Sequence, residues 1–417
     1  MIPKPIHLAR STSSRAVHFA SAGLATLLIA LAGGCGSDGA VDPHGATGPS
    51  LGDPSGGEPL AVPSGYKLSI VPMPARDLAD WDEYRESYRL ARSLGVSVAH
   101  GYVEWGAIER SRDLDRWDAA ANLVALAGSQ GMQVSMVITV INVLTLGSLP
   151  ADLPEAGLAD PELQERWLGF LARFSTRFAD DIDYLWLGNE IDIYLDLHPE
   201  EVAAWADLLE RSVEVVHLHA PRMTVGTVMT YHNAVGSGRV AWIHTFGPVV
   251  DRMGITYYPE MMPGGYEPGR IQEQIDALIR DYGAYPLALV ETAVGAVPYN
   301  GGGESAQVEY CHEFFRALRR HPGRFAFAGW FNLYDFSPEY VDTLSRSWGI
   351  GDPELIAWFG STALARFDGS PRPVLTAWAK GVVDLQDKSG AVGSTDAPDR
   401  GPSEARSGAG RATTRPE

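Results

Sequence analysis

The chain has 417 residues, of which 45% are hydrophobic, 20% charged and 10% aromatic, too apolar and too aromatic for a disordered polymer. Lys+Arg number 33 against 52 Asp+Glu, and the net charge of −19 argues against nucleic acid or an anionic membrane surface as a partner. Two cysteines, Cys35 and Cys311, supply neither a disulfide framework nor a cysteine zinc cluster. At about 150 residues per domain the length suggests two or three domains, although a barrel uses roughly 250 to 400 residues as one unit. The 11 Trp, 16 Tyr and 13 Phe exceed what a minimal core needs, and aromatic faces are surfaces on which sugar rings stack.

Residues 1–34 carry Lys4, Arg10 and Arg15 ahead of an apolar run at 22–31, and they end in Ala32-Gly33-Gly34 before Cys35. A positive segment, a short apolar segment and a small-residue cleavage site form the layout of an export signal. The run is shorter than the roughly 20 apolar residues that a spanning helix needs. The stretch resembles the lipobox of bacterial lipoproteins, although Ala32 stands where Leu is usual. The resemblance implies a lipid on Cys35 and an exported protein anchored at the outer membrane or cell surface. An ordinary secretory signal is the alternative. Residues 35–64 are rich in Gly, Pro, Ser and Asp with no apolar period and read as a flexible tether, and residues 386–417 have the same character. The expected folded unit is 65–385.

Within it, short β-branched runs at 67–71, 96–100, 133–139, 183–187, 223–228, 252–256, 287–290 and 325–331 alternate with longer helical patterns. Trp117, Ala120, Ala121 and Val124 give one such pattern, and Val308, Cys311, Phe315 and Leu318 another, which places Cys311 in the core. Strand and helix repeated eight times predict a single-domain α/β fold, the (β/α)8 TIM barrel. An open doubly wound sheet is the runner-up, but no Gly-x-Gly-x-x-Gly follows any strand. Gly301-Gly302-Gly303-Glu304-Ser305 reads as a mobile loop at the mouth.

In such a barrel the reactive groups stand at the C-terminal ends of the strands. The fourth run leads into Trp186-Leu187-Gly188-Asn189-Glu190 and the seventh into Val290-Glu291-Thr292-Ala293. Either glutamate alone could be a solvated loop acid. Together they supply the two carboxyl groups that glycosidic cleavage needs, one to protonate the leaving oxygen and one to attack or to activate water.

These motifs resemble the clan A retaining glycoside hydrolases, as do Gly254-Ile255-Thr256-Tyr257-Tyr258-Pro259 at strand six and Gly329-Trp330-Phe331-Asn332 at strand eight. Glu104-Trp105-Gly106-Ala107-Ile108-Glu109 resembles the clan's strand-two loop. Within the clan, Leu187 to Ile191, the Tyr-Tyr-Pro and Val290 to Ala293 look most like the family 53 arabinogalactan endo-β-1,4-galactanases. The resemblance implies Glu190 as acid/base, Glu291 as nucleophile, Asn189 as partner of a sugar hydroxyl and Tyr258 as donor to Glu291. Alternation along strand six turns Tyr258 to the mouth and Tyr257 to the helices. Trp330 would be the stacking floor, with a buried place in the barrel wall as the alternative; Trp105, Tyr194 and Trp348 are weaker platforms, for which core or rim packing is the preferred reading. The charge on Glu291 would raise the pKa of Glu190 and keep it an acid.

The clan usually carries an arginine near the end of strand two, where this sequence has His100, and a histidine at the end of strand three, where Thr139 or Asn142 stands. His100, in the arginine's place, would have to be protonated to serve Glu291 as a cation; a structural histidine bonded to a neighbouring backbone group is the equal alternative. No metal or other cofactor is expected: strand one lacks His-x-His, and His217-Leu218-His219 falls at a helix end. No Gly-x-Ser-x-Gly elbow marks a serine hydrolase. The expected partner is a carbohydrate. A catalytically silent sugar-binding lipoprotein on the same barrel is the rival reading, favoured by the missing arginine and histidine and opposed by the two glutamates. Sugar, linkage and oligomeric state are not legible in the sequence.

Overall fold

The computed structural model describes residues 59–389 apart from 77–79, 113, 154–155 and 348. Cys35, the export signal, most of the tether, the tail from residue 390 and Trp348 lie outside the described residues. Eight parallel strands close on themselves: β1 (Leu68–Val71), β2 (Val98–Glu104), β3 (Gln133–Asn142), β4 (Tyr184–Asn189), β5 (Thr224–Thr230), β6 (Arg252–Tyr257), β7 (Leu287–Thr292) and β8 (Phe325–Asn332). β1 pairs with both β8 and β2, and β2 with β3, so the barrel has no open edge. Helices α1 (Trp81–Ser93), α2 (Asp118–Ser129), α3 (Pro161–Phe178), α4 (Val202–His219), α5 (Tyr231–Ser237), α6 (Ile271–Tyr282), α7 (Glu304–Arg320) and α8 (Pro373–Ser389) follow the strands in turn. This is the (β/α)8 barrel that the alternation predicts.

Local chemistry sets several of the boundaries. The Asp80 side chain accepts from the backbone N–H groups of Asp82 and Glu83 to open α1, and Asp160 does the same for α3 ahead of Pro161. Packing begins before Gly65: the Leu60 N–H donates to Ser93 O at 2.9 Å, and Leu60 and Val62 lie against the core.

Two hydrophobic cores result. The larger lies between strands and helices; the smaller fills the barrel and consists of Val98, Val137, Tyr184, Trp186, Val228, Ala288, Val290 and Phe327. Trp186 is the largest group inside. Its ring needs glycine on the next strand, because a Cβ on Gly226 would stand 2.5 Å from the indole. Residues of the same parity as these eight point inward, and toward the C-terminal ends they turn polar.

Candidate active site

Glu190 is placed by a sharp turn. After β4 the chain passes through Gly188 at φ +83° and Glu190 at φ 48°, and helix Ile191–Leu197 begins at once. A Cβ on Gly188 would meet Ile191 Cγ2 at 2.7 Å, so glycine is required there. Two contacts hold the turn. The backbone N–H of Val143, a β-branched residue at φ 58°, donates to Asn189 O at 3.0 Å. Asp192, fully buried, accepts from Thr230 N (2.7 Å), Thr230 Oγ1 (2.8 Å) and Asn233 Nδ2 (2.9 Å) and ties the turn to β5. Left-handed backbone at two non-glycine residues is strain of the kind that functional sites retain.

Glu291 arrives from β7 through an irregularity: the register with β6 shifts between Leu289 and Glu291, which makes Thr256 the Cα partner of Glu291. Val290 therefore stays in the barrel core while Glu291 enters the mouth. Two tyrosines donate to its carboxylate, Tyr258 to Oε2 at 2.5 Å and Tyr102 to Oε1. Behind Tyr102 the bonds continue inward, from its hydroxyl to His100 Nε2 (3.0 Å), from His100 Nδ1 to Ser135 Oγ (2.8 Å), and to Ser135 Oγ from Trp186 Nε1 (2.8 Å). On β6 the alternation that turns Tyr258 to Glu291 also turns Thr256 to Glu190, and Thr256 Oγ1 donates to Glu190 Oε1 at 2.6 Å. Tyr257 faces the helices and donates to Gln274.

The electrostatics differ from the expectation in their cause. Burial pushes Glu190 up to about 7, with Asp192 adding to the rise and the Thr256 hydroxyl opposing it. Glu291 is not among the causes of that shift. Burial pushes Glu291 itself up to about 8. Among the described residues no cation offsets this, so the two tyrosine hydroxyls are the groups that favour its ionised form.

Several expected site residues lie elsewhere. His100 is 1% exposed and sits one layer below Tyr102, without a contact to Glu291, and burial pulls it down to about 3. It is a neutral link and not a substitute cation. Trp330 has the opposite parity to Phe327 and faces the helices; its Nε1 donates to Thr362 O, and its ring packs on Tyr310 and Trp378. Trp105 is buried against Trp167 and Phe170 and donates to Glu109. Tyr194 is buried and donates to Glu201. None of these is a platform. Asn189 does stand beside Glu190, and its Oδ1 is buried without a partner. The Gly301-Gly302-Gly303 loop is held down: Gly303 N donates to Gly295 O, and Glu304 is bridged by Arg366 and Arg372. His217 and His219 go separately to Asp251 and Thr176.

Tyr102 and Thr256 touch the two glutamates directly. Glu260, just after Tyr258, accepts from Gly295 N (2.6 Å) and Trp358 Nε1 (3.1 Å), which joins the loops after β6, β7 and β8. Trp358 in turn sets its ring edge-on to Tyr258, with centroids 5.3 Å apart.

No protein-family model and no curated protein matches this chain. Solved structures do. A GH5_18 protein from Streptomyces cattleya in complex with GlcNAc is 17% identical over 80% of this chain and 82% of its own, with a TM-score of 0.61. The exo-β-1,4-mannosidase Op5Man5 from Opitutaceae bacterium strain TAV5 is 15% identical over 78% of this chain and 60% of its own, at 0.62. Xylanase 10B from Thermotoga maritima is 14% identical over 77% of this chain and 95% of its own, at 0.54. What this likeness shows is the fold. Its neighbours in that fold include enzymes that cleave glycosidic bonds.

Proposed function

We propose that the chain is a retaining O-glycoside hydrolase acting on a β-linked oligo- or polysaccharide. The observation that carries this is the pair of glutamates at the ends of β4 and β7, Glu291 buried and Glu190 half-buried, each hydrogen-bonded from the same face of β6, Glu190 by Thr256 and Glu291 by Tyr258. In the first step the Glu190 carboxyl gives its proton to the glycosidic oxygen. The Glu291 carboxylate bonds to the anomeric carbon as the carbon–oxygen bond to the leaving group breaks. In the second, Glu190 takes a proton from water, whose oxygen displaces Glu291 and releases the sugar. Burial keeps Glu190 protonated near neutrality, as the first step requires. Asn189, with its free amide oxygen, is the residue we assign to a sugar hydroxyl beside the reacting carbon.

Aryl β-glycosides and plant polysaccharides test this, with galactan first because of the family 53 motifs. NMR should show a product of retained anomeric configuration, since retention needs the carboxyl groups about 5 to 5.5 Å apart. Glu291→Ala should abolish turnover. Glu190→Ala should keep rapid glycosylation only where the leaving group needs no proton. An inverted product, or substantial activity in both variants on every substrate, overturns the reading.

We further propose export as a lipoprotein anchored through Cys35, on the strength of the signal and lipobox pattern. Cys35→Ser should move the protein from the detergent phase to the aqueous phase; unchanged partitioning counts against the anchor.

A further inference from the structure

The last residue of β2 is a carboxylate that the chemistry above does not use. Glu104 is 5% exposed, and it shares its face of the strand with Tyr102, whose hydroxyl reaches Glu291. Alternation therefore aims it into the mouth, one step above that tyrosine. A bond from Ser148 serves the carboxylate, while Oε2 is buried with no partner. The Cα partner of Glu104 on β3 is Thr139. Thr139 lies on the inward face with Ser135 and Val137, and its hydroxyl is buried and unpartnered as well. Tyr340, from helix Pro338–Ser347, lies close enough for the charge of Glu104 to act on its hydroxyl. No ion pair to Glu104 forms among the described residues. A buried acceptor left unmade costs about 1–3 kcal/mol, more when charged. Two neighbouring ones point to a ligand that completes them.

We propose that Glu104 and Thr139 form a hydroxyl-binding subsite that takes two adjacent hydroxyls of a neutral sugar ring and so selects the glycosyl group to be cleaved. This rests on the glycosidase reading and sharpens it. A carboxylate accepts both protons of a vicinal diol, and Thr139 can accept from or donate to the same pair. The surrounding groups, Ser148, Thr139 and Tyr340, are all hydroxyls, a setting for hydrogen bonds among neutral partners. Burial pushes Glu104 up to about 7, against the Ser148 bond, and a sugar carboxylate in this place would meet its like charge once it is ionised.

The test uses the full chain with 4-nitrophenyl β-glycosides of glucose, galactose, mannose and xylose, then the monodeoxy and 2-amino forms of the preferred one. Glu104→Gln, nearly isosteric, and Glu104→Ala should each lower kcat/KM about 10- to 100-fold on the parent glycoside. On the deoxy form that lacks the bound hydroxyl, the loss should shrink below about 3-fold, as a pairwise coupling requires. Thr139→Val should show a smaller loss that vanishes on the same or the adjacent deoxy form. Circular dichroism confirms folding of each variant. An equal loss on every substrate, no loss at all, or a preference for the 2-amino sugar overturns the assignment of Glu104 while the glycosidase reading stands. If the wild type turns over no glycoside, that reading fails and this subsite with it.

Discussion

Trp186 and Glu291 are the two ends of one hydrogen-bonded chain that runs through the barrel interior by way of Ser135, His100 and Tyr102. An indole can only donate and an ionised carboxylate can only accept, so with Glu291 charged the order of the links is fixed. Tyr102 donates to Glu291 and accepts from His100 Nε2–H. His100 Nδ1 accepts from Ser135, and Ser135 accepts from Trp186. The members come from β4, β3, β2 and β7, so closure of the barrel is what brings them into line. Four neutral groups thereby turn their dipoles toward one buried negative charge.

The pH dependence of activity follows from the two shifted glutamates. The proposed reaction needs Glu291 ionised and Glu190 protonated, yet Glu291 is raised to about 8 and Glu190 to about 7. The rising limb of kcat/KM comes from Glu291 and the falling limb from Glu190, so the profile should be a narrow bell with its apex between about 7 and about 8. Tyr258→Phe removes a donor to the charged form, which should lower the apex about 10-fold and, because Glu291 is already the higher of the two, move the high-pH edge of the bell upward while the low-pH edge stays. A broad optimum below about pH 5 would contradict this assignment.

Glu260 should make stability fall with pH. Burial raises its pKa to about 8 from an ordinary 4.5, while its Oε2 has no partner. A folded value above the unfolded one means that the folded chain holds a proton the unfolded chain has lost. The stabilisation is thus full below about 4.5 and is lost as pH rises to about 8. Glu260→Gln should therefore match the wild-type Tm near pH 4 and exceed it by a few degrees above pH 8, with calorimetry across that range as the measurement. Parallel Tm curves for the two proteins would show that Glu260 carries no such linkage.

The buried pair Arg166–Glu109, at 2.9 Å, predicts a different loss. Arg166 on α3 also bonds Asp152, and Glu109 receives the Trp105 indole, so the cluster clamps the β2 excursion to the outer helices. Arg166→Ala would leave the Glu109 carboxylate buried without its cation, at a cost of about 3–5 kcal/mol. Denaturant unfolding should show that loss. kcat/KM per folded molecule should stay within about 3-fold, because the pair lies outside the barrel mouth. A stability change below about 1 kcal/mol would mean that Arg173, 3.4 Å from the same carboxylate, suffices.

Legibility in the sequence followed the period of the strands. All eight runs and their order were readable, as was the side of β6 on which Tyr258 stands, because alternation is a local property. Strand ends were less so. The run at 96–100 continues to Glu104 through Gly101 and the polar residues of the barrel interior, where inward positions are Ser, His, Tyr and Glu instead of the usual apolar set. That extension places His100 at mid-barrel and gives the mouth to Tyr102 and Glu104. Trp330 shows the opposite case: its parity already set it against the helices, and residue type outweighed parity in the expectation. Glu291 escaped parity altogether, since only the register shift beside it turns it inward. Thr256, placed correctly by alternation, gave no sign of its bond to Glu190, which depends on the left-handed turn after β4.

His100 is a link whose direction follows the proton on Glu291. When Glu291 is ionised, His100 must carry its proton on Nε2; when Glu291 is protonated, Tyr102 is free to donate to Nε2 and the proton can sit on Nδ1. His100 itself stays neutral throughout, since burial holds its pKa near 3. His100→Leu should remove the donor behind Tyr102, lower kcat/KM about 10-fold and move the high-pH edge of the profile upward, because Glu291 loses support for its charge. His100→Gln keeps an amide N–H toward Tyr102 and an oxygen toward Ser135 and should restore most of the loss. His100→Arg should not extend activity to higher pH; it places a cation between Ser135 and Tyr102 with no carboxylate in contact, and its Tm should fall sharply. The measurements are kcat/KM against pH for the three variants and the 15N shifts of the His100 ring across the titration of Glu291. Profiles that superimpose, together with ring shifts that do not move, would reduce His100 to a packing residue.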